Sequence, residues 1–325
     1  MVMRNRPTFA FALATTLVLA ACGTAGSPSP QSSVSASASI PAQTASPAPL
    51  PGGRLVYAFD IPGGVSVFTA NTDGTGAHAL LSSPTVQLPR WAPDGGRISV
   101  VAESPQGLIF VGLVNPDGSD YLRFDSRDPS MQLGCVAWSP DGSRLACEGW
   151  DDTDPTRNGI YTVRASDGGD LTRVTSSPDG AHDIPGDYSP DGRQIVFVAQ
   201  TLDEEQSTLT VVNVDGSNRH ALIDRKVGQA PRWTPDGRSI LTDASGSLLL
   251  VPVDGGEPSP IKLDTDLAGI AQHGAWSPDG EWIVFAARFT AAGWDIYIMR
   301  KDGTDLHQVT DTPGQEEDFG ADWVN

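Results

Sequence analysis

Two of the five histidines in this sequence, His182 and His273, are candidates for a functional site. They occupy no repeated position, and an acid, Asp183, follows His182 directly. Imidazole and carboxylate side chains of this kind bind metal ions or transfer protons near neutral pH. A site for metal or for acid–base chemistry is therefore one hypothesis for His182, Asp183 and His273, and solvated loop histidines are the alternative.

Runs of acids and two tryptophans form a second group of candidates. Carboxylates attract a basic protein surface or coordinate a divalent cation, and exposed tryptophan anchors a partner or a sugar ring. The alternatives are a solvated charge run for the acids and packing for the tryptophans, and no calcium-loop spacing is present. The candidates are Trp150, Asp151, Asp152 and Asp154; Asp203, Glu204 and Glu205; Trp294; and Glu316, Glu317 and Asp318.

Motifs for the common enzyme chemistries are missing from the sequence. It contains no Gly-x-Ser-x-Gly elbow, phosphate-binding glycine loop, His-Glu-x-x-His or dinucleotide fingerprint. We therefore assign no catalytic residue and no cofactor, predict that the protein is not an enzyme, and keep a divalent cation as the alternative. The formal net charge of −19 argues against nucleic acid or an anionic lipid surface as the main partner.

The N-terminal residues 1–21 predict a secretory signal: Arg4 and Arg6 precede an apolar run too short to span a bilayer. The run ends in Leu-Ala-Ala-Cys, which resembles the lipobox of bacterial lipoproteins, and that resemblance implies a diacylglycerol group on the thiol of Cys22. The predicted location is the outer face of the cytoplasmic membrane, or the periplasmic side of a two-membrane envelope, with the lipid anchor as the only membrane contact. Residues 22–53, rich in Ser, Ala and Pro, predict a disordered tether.

Two further cysteines, Cys135 and Cys147, lie at equal distances from Asp141. If a hairpin turns at Asp141, the two residues face each other across adjacent strands. Export makes a disulfide chemically accessible, and the bond requires a suitable Cα spacing. A disulfide and a pair of free buried thiols stay open as alternatives.

An internal repeat must position all of these residues. The pattern aromatic-x-Pro-Asp-Gly recurs about every 45 residues, at Trp91, Trp138, Tyr188, Trp233 and Trp276, and interleaves with a second Asp-Gly signal. Asp-Gly supplies the positive φ that a tight hairpin needs, and the flanking runs are rich in Val, Ile, Thr and aromatics. Each unit therefore predicts four antiparallel strands.

The ends of the repeat region predict ring closure. Trp323 follows Trp276 at the repeat spacing, and Gly52-Gly53-Arg54-Leu55 matches the residues after the first turn, Gly95 to Ile98. A C-terminal strand would then complete the N-terminal blade and remove exposed sheet edges. The prediction is an all-β, six-bladed propeller of four-stranded antiparallel blades over residues 54–325, a monomer.

The repeated Trp-Ser-Pro-Asp-Gly turn with its later Asp-Gly resembles the WD-like repeat of TolB-like propellers. The resemblance covers nearly all of residues 52–325, with no counterpart of the N-terminal α/β domain of the TolB translocation protein. It implies a non-catalytic scaffold that binds a protein in the cell envelope. The alternatives are an enzyme or carbohydrate-binding protein (of lyase or hydrolase type) at the channel mouth and a small-molecule sensor.

Overall fold

The computed structural model describes residues 49–61, 64–83, 85–105, 107–126, 128, 130–177, 181–201, 206–263, 269–290, 293–311 and 318–325. The predictions for the signal, for Cys22 and for the tether before residue 49 lie outside the described residues. The same is true of Asp203, Glu204, Glu205, Glu316 and Glu317.

The Pro-Asp-Gly turns form because their acids bind local backbone and hydroxyl donors. Asp141 accepts hydrogen bonds from the Ser143 amide at 3.0 Å and from the hydroxyls of Ser139 and Ser143 at 2.6 and 2.8 Å. These bonds lower the pKa of Asp141 to about 2. Gly142 adopts φ +69°, which L side chains rarely adopt. The turn acids are thus structural.

The first three blades contain the strands of the N-terminal half of the propeller, together with the last strand of the chain. Blade 1 comprises β24 (Asp318–Val324), β1 (Arg54–Ile61), β2 (Gly64–Asn71) and β3 (His78–Ser83). Blade 2 comprises β4 (Gln87–Trp91), β5 (Ile98–Glu103), β6 (Ile109–Val114) and β7 (Leu122–Phe124). Blade 3 comprises β8 (Met131–Trp138), β9 (Arg144–Asp151), β10 (Gly159–Arg164) and β11 (Thr172–Arg173).

The other three blades repeat this antiparallel order. Blade 4 comprises β12 (Ala181–Tyr188), β13 (Gln194–Thr201), β14 (Ser207–Asn213) and β15 (His220–Asp224). Blade 5 comprises β16 (Arg232–Trp233), β17 (Ser239–Ala244), β18 (Ser247–Pro252) and β19 (Ser259–Pro260). Blade 6 comprises β20 (Ile270–Trp276), β21 (Trp282–Thr290), β22 (Gly293–Arg300) and β23 (His307–Gln308).

Strand β24 confirms the predicted ring closure. It pairs antiparallel with β1, so that Trp323 lies opposite Leu55. Because the last strand joins the first blade, the six sheets form a closed six-bladed β-propeller. In the described ranges the only helical segment is a 3₁₀ turn at Pro155–Arg157.

The hydrophobic core divides into six clusters among the described residues, one between each pair of successive blades. Leu55 and Phe59 of blade 1 pack with Trp282 and Ile296 of blade 6, for example. The repeat aromatics lie in these clusters or pack against them, as the regular spacing predicts. Core packing therefore joins each blade to its neighbours and holds the innermost strands around the central axis.

Candidate functional site

The acidic loop after β9 is held together by its own carboxylates. Asp151 has a side chain only 1% exposed, accepts hydrogen bonds from the amide and hydroxyl of Thr153, and pairs with Arg157 at 2.7 Å. Asp154 caps the following 3₁₀ turn. Asp152 and Asp154 are the exposed acids of the run. Asp151 and Asp154 therefore shape the loop, while Asp152 and Asp154 face solvent.

The two tryptophans of the predicted rim differ in burial. Trp294 lies within β22, is 7% exposed and packs in the core between blades 6 and 1, so the expectation of an exposed anchor is wrong for this residue. The guanidinium of Arg288 lies 5.9 Å from its ring centre. Trp150 lies in β9 and is half-buried. The sequence around the two tryptophans does not reveal this difference in burial.

Asp183 forms a buried clamp between blades 3 and 4. Its fully buried side chain accepts two hydrogen bonds from the guanidinium of Arg219, at 2.7 and 2.9 Å, and one from the hydroxyl of Thr175 at 2.6 Å. A bidentate pair of this geometry is among the stronger charged contacts in proteins. The carboxylate therefore joins two blades and is already occupied.

The two candidate histidines lie within inner strands. The Nδ1 of His182 lies 2.6 Å from Oε1 of Glu148 in the preceding blade. His273 is 5% exposed in β20 and its backbone has φ +55°. Neither histidine, nor Asp183, is among the described residues that line the central cavity. In the same described ranges, no group of three or more His, Cys, Asp or Glu side chains could hold a metal ion.

Cys135 and Cys147 lie directly opposite each other in the β8–β9 pair, as the hairpin around Asp141 requires. The structure joins them by a disulfide bond, with a Cα–Cα distance of 3.7 Å. Both residues are fully buried between blades 2 and 3. The bond therefore fixes the two inner strands of blade 3.

The residues that line the central cavity were not singled out by sequence reasoning. Among them are all but Ala137 of the six residues that directly precede the repeat aromatics. Those six are Arg90, Ala137, Asp187, Arg232, Ala275 and Asp322. From blade 1 to blade 6 the order is Asp, Arg, Ala, Asp, Arg, Ala, a pattern that repeats after three blades. Aligning the six units on their aromatic residue reveals this pattern, and that alignment is the signal that could have found the site.

β-Bulges precede five of these six positions. In five blades the pairing of the innermost strand shifts register just before the aromatic residue, for example between Gln87 and Arg90 and between Pro185 and Asp187. A bulge bends its strand and redirects the neighbouring side chain. The register shift therefore allows charged residues to enter a ring whose other positions are apolar.

A cavity of about 240 Å³ lies at the axis, on the side of the Pro-Asp-Gly turns. Its described lining includes Arg90, Asp187, Arg232 and Asp322, together with repeat aromatics and the turn prolines Pro93, Pro140 and Pro190. We call the four charged residues the axial ring. Two arginines and two aspartates make the ring formally neutral, so the cavity favours no ion by net charge alone.

Hydrogen bonds hold both aspartates of the axial ring in matching positions. The backbone N–H of Trp91 donates to Asp322 at 2.8 Å, and that of Trp233 donates to Asp187 at 3.1 Å. The guanidinium of Arg232 lies 3.2 Å from Asp322 and 3.9 Å from Asp187. Each aspartate therefore has a backbone donor from the next blade and shares the same arginine.

Burial shifts the ionisation of two ring members. Loss of water around the carboxyl raises the pKa of Asp187 to about 6, although Arg232 acts in the opposite direction. Burial, reinforced by the positive charge of Arg232, lowers the pKa of Arg90 to about 9, although Asp322 and Asp187 act in the opposite direction. Both groups stay mainly charged at pH 7. The ring is therefore a set of desolvated charges around one small cavity.

Comparisons with known proteins agree with the fold. No protein-family model matches the chain. The chain is 28% identical over 247 residues to the uncharacterized peptidase YuxL of Bacillus subtilis, an alignment that covers 69% of this chain and 33% of YuxL. The chain thus spans about a third of the length of that curated relative.

Solved structures of TolB proteins share the architecture. TolB from Acinetobacter baumannii superposes with a TM-score of 0.61 at 20% identity, over 84% of this chain and 66% of that one. A putative TolB from Agrobacterium tumefaciens gives a TM-score of 0.60 at 18% identity, over 85% of this chain and 99% of that one. The fold is therefore that of a TolB-like six-bladed propeller. In the described part of the chain, no helix is long and apolar enough to cross a membrane.

Proposed function

We propose that this protein is a non-catalytic, extracytoplasmic propeller that binds a protein partner in the cell envelope. The observation that carries the proposal is the TolB-like ring with a charged central cavity on its turn side. A concave, rigidly held site with a few buried polar groups is the usual form of a binding site. A closed propeller presents such a site without exposing long sheet edges.

Acids on the loop side would add long-range attraction for a basic partner. We propose that this rim comprises Asp152, which is exposed, together with Asp203, Glu204, Glu205, Glu316, Glu317 and Asp318. Charged rims mainly raise association rates and fix orientation, and salt screens them over about 10 Å at 0.1 M. The rim would therefore contribute more at low ionic strength than at high.

Affinity capture tests the partner. The full chain in mild detergent would be the bait against an envelope extract, and a captured protein would then be purified and its affinity measured directly. Changing Asp203, Glu204 and Glu205 to lysine is expected to weaken binding several-fold at low salt and less at higher salt.

The matched control changes to lysine three exposed acids of the turn side that do not line the central cavity: Asp120, Glu257 and Glu281. This variant carries the same net charge, and the surface ion pairs of Asp120 and Glu281 contribute little to stability. Equal weakening by both variants would contradict a rim-specific contact. Failure to capture any protein that binds directly would contradict the proposed function.

We further propose that a diacylglycerol group on the thiol of Cys22 holds the protein on the outer face of the membrane. A single acyl chain gives marginal membrane binding and two give stable anchoring, so the two chains of this group suffice. Changing Cys22 to serine is expected to move the exported protein from the membrane pellet to the soluble fraction. The same distribution for both proteins after cell fractionation would refute the anchor.

An enzyme is the second candidate, because the relative YuxL is named as a peptidase. The aligned part covers only a third of YuxL, so its activity does not transfer with the similarity. Incubation of the full chain with a mixture of fluorogenic peptides tests this candidate. Turnover that co-purifies with the protein and is lost in His273→Ala would favour an enzyme over a binding module.

A further inference from the structure

Arg90 and Arg232 hold equivalent positions in blades 2 and 5, yet their surroundings differ. Arg232 pairs with both aspartates of the axial ring. Among the described residues, no ion pair joins Arg90 to an acid. The Asp, Arg, Ala order repeats after three blades, but the ion pairs do not follow it, because Arg232 pairs with both aspartates and Arg90 with neither.

Arg90 lines the cavity although the residue is only 3% exposed. Its Nη1 donates to the carbonyl of Pro89 at 3.1 Å, while Nε has no hydrogen-bond partner among the described residues. Buried polar groups are nearly always hydrogen-bonded, and a buried charge without a partner is costly. A guanidinium kept in this position therefore points to an anionic ligand.

The chemistry of the site favours a carboxylate over a larger anion. A guanidinium presents its N–H groups as a planar fork that matches the two oxygens of a carboxylate. Asp187 and Asp322 flank the cavity, so a singly charged anion meets less repulsion than a phosphate. A volume of about 240 Å³ accommodates a small group, and aromatic rings such as Trp91 and Trp138 line it for an apolar stem.

We propose that the axial cavity binds a carboxylate group, which enters from the side of the Pro-Asp-Gly turns and is held by the fork of Arg90. The inference deepens the proposed function, on which it rests for the source of the group: a carboxylate of the partner protein. A free small carboxylic acid offers the same chemistry. Arg232 stays with the two aspartates and positions the ring.

Titration of the full chain followed by NMR of the arginine Nε–H groups tests the proposal. The Arg90 signal is assigned by its absence in Arg90→Gln. The probes are N-acetyl-Gly-Gly with a free carboxylate for a chain end, N-acetylglutamate diamide with a free γ-carboxylate for an acidic side chain, and propionate for a small acid. N-acetyl-Gly-Gly amide, which lacks the charge, is the matched control ligand.

We expect a saturable shift of the Arg90 Nε–H signal with at least one carboxylate and none with the amide. The probe that binds most tightly identifies the source. Backbone amide shifts should show about tenfold weaker binding in Arg90→Gln, since a charged hydrogen bond is lost. In Arg97→Gln, which removes a half-buried arginine of the same blade outside the cavity, affinity should not change.

Three results would overturn the inference: no saturable shift with any carboxylate, equal shifts with the amide, or unchanged affinity in Arg90→Gln. A second variant guards against a folding defect, because Ala275→Leu fills the cavity and keeps all four charges. It should also weaken carboxylate binding, and retained binding counts against the cavity as the site. Capture of a partner at full affinity by Arg90→Gln would leave the partner-binding function standing without this inference.

Discussion

Replacing Arg232 with methionine is expected to lower the free energy of unfolding by about 3 kcal/mol. Arg232 is the cation that both axial aspartates share, at 3.2 Å from Asp322 and 3.9 Å from Asp187. Methionine keeps an apolar stem of similar length and removes the charge. Two carboxylates then stay in a desolvated site without their cation, which is the costly way to break a buried ion pair. Urea unfolding of both proteins measures the difference.

The loss should also depend on pH. Burial raises the pKa of Asp187 to about 6 with Arg232 present, and removal of the cation raises it further. A carboxyl with a raised pKa binds its proton more tightly in the folded than in the unfolded chain. Its contribution to stability is therefore present below the unfolded pKa and is lost as pH rises through the folded pKa. We expect a smaller penalty at pH 5 than at pH 8.

Arg90→Met is the matched control, because the two arginines occupy equivalent positions in the repeat. Arg90 has no ion pair among the described residues. Burial and the charge of Arg232 lower its pKa to about 9, and the charges of Asp322 and Asp187 offset this only in part. We expect a change within about 1 kcal/mol, or a gain. Equal losses for the two arginines, or a loss at Arg232 that is independent of pH, would contradict the described pairing.

Loss of the Cys135–Cys147 disulfide is expected to cost about 3 kcal/mol, according to the chain-entropy account for a loop of this length. The bond joins residues separated by 12 positions, and both sulfurs are fully buried between blades 2 and 3. Without it the unfolded chain gains conformational freedom while the hairpin keeps its hydrogen bonds. Urea unfolding of the Cys135→Ala/Cys147→Ala variant gives the total effect.

Unfolding of the wild-type protein in the presence of a reductant separates the contribution of the cross-link from that of the lost side-chain volume, since both sulfur atoms remain. We expect the free energy of unfolding of the reduced protein to lie between those of the oxidised wild type and the double alanine variant. Alanine is preferred to serine because a buried hydroxyl without a partner would add its own cost. Identical unfolding of the oxidised and reduced proteins would show that the bond contributes nothing to stability.

The blades were predictable from sequence because their signals are local and periodic. A Pro-Asp-Gly turn needs only its own residues: Asp141 binds donors within two positions, and Gly142 takes the positive φ. Because that turn recurs about every 45 residues, the number of blades can be read from the sequence. Trp323 and Leu55 predicted the closure as well, because the missing repeat was divided between the two ends of the chain.

The candidate site was predicted less well, because its residues meet only around the ring. Arg232 and Asp322 are 90 residues apart in sequence and belong to different blades. In five blades, including blade 1 with Asp322, the direction of the side chain depends on a β-bulge, which breaks the alternation on which strand patterns rely. The sequence also did not determine which aromatic residues are buried. Trp294 was a candidate for an exposed anchor, but it packs between two blades.

By itself, then, the sequence determined the six-bladed ring, its closure and the positions of the tight turns, since those follow from local and regularly repeated patterns. Only the tertiary structure decided that Arg232 shares both axial aspartates and that no acid in the described ranges forms an ion pair with Arg90. Pairing among four buried charges depends on distances across the axis, and these are fixed by how six blades pack and not by any local pattern.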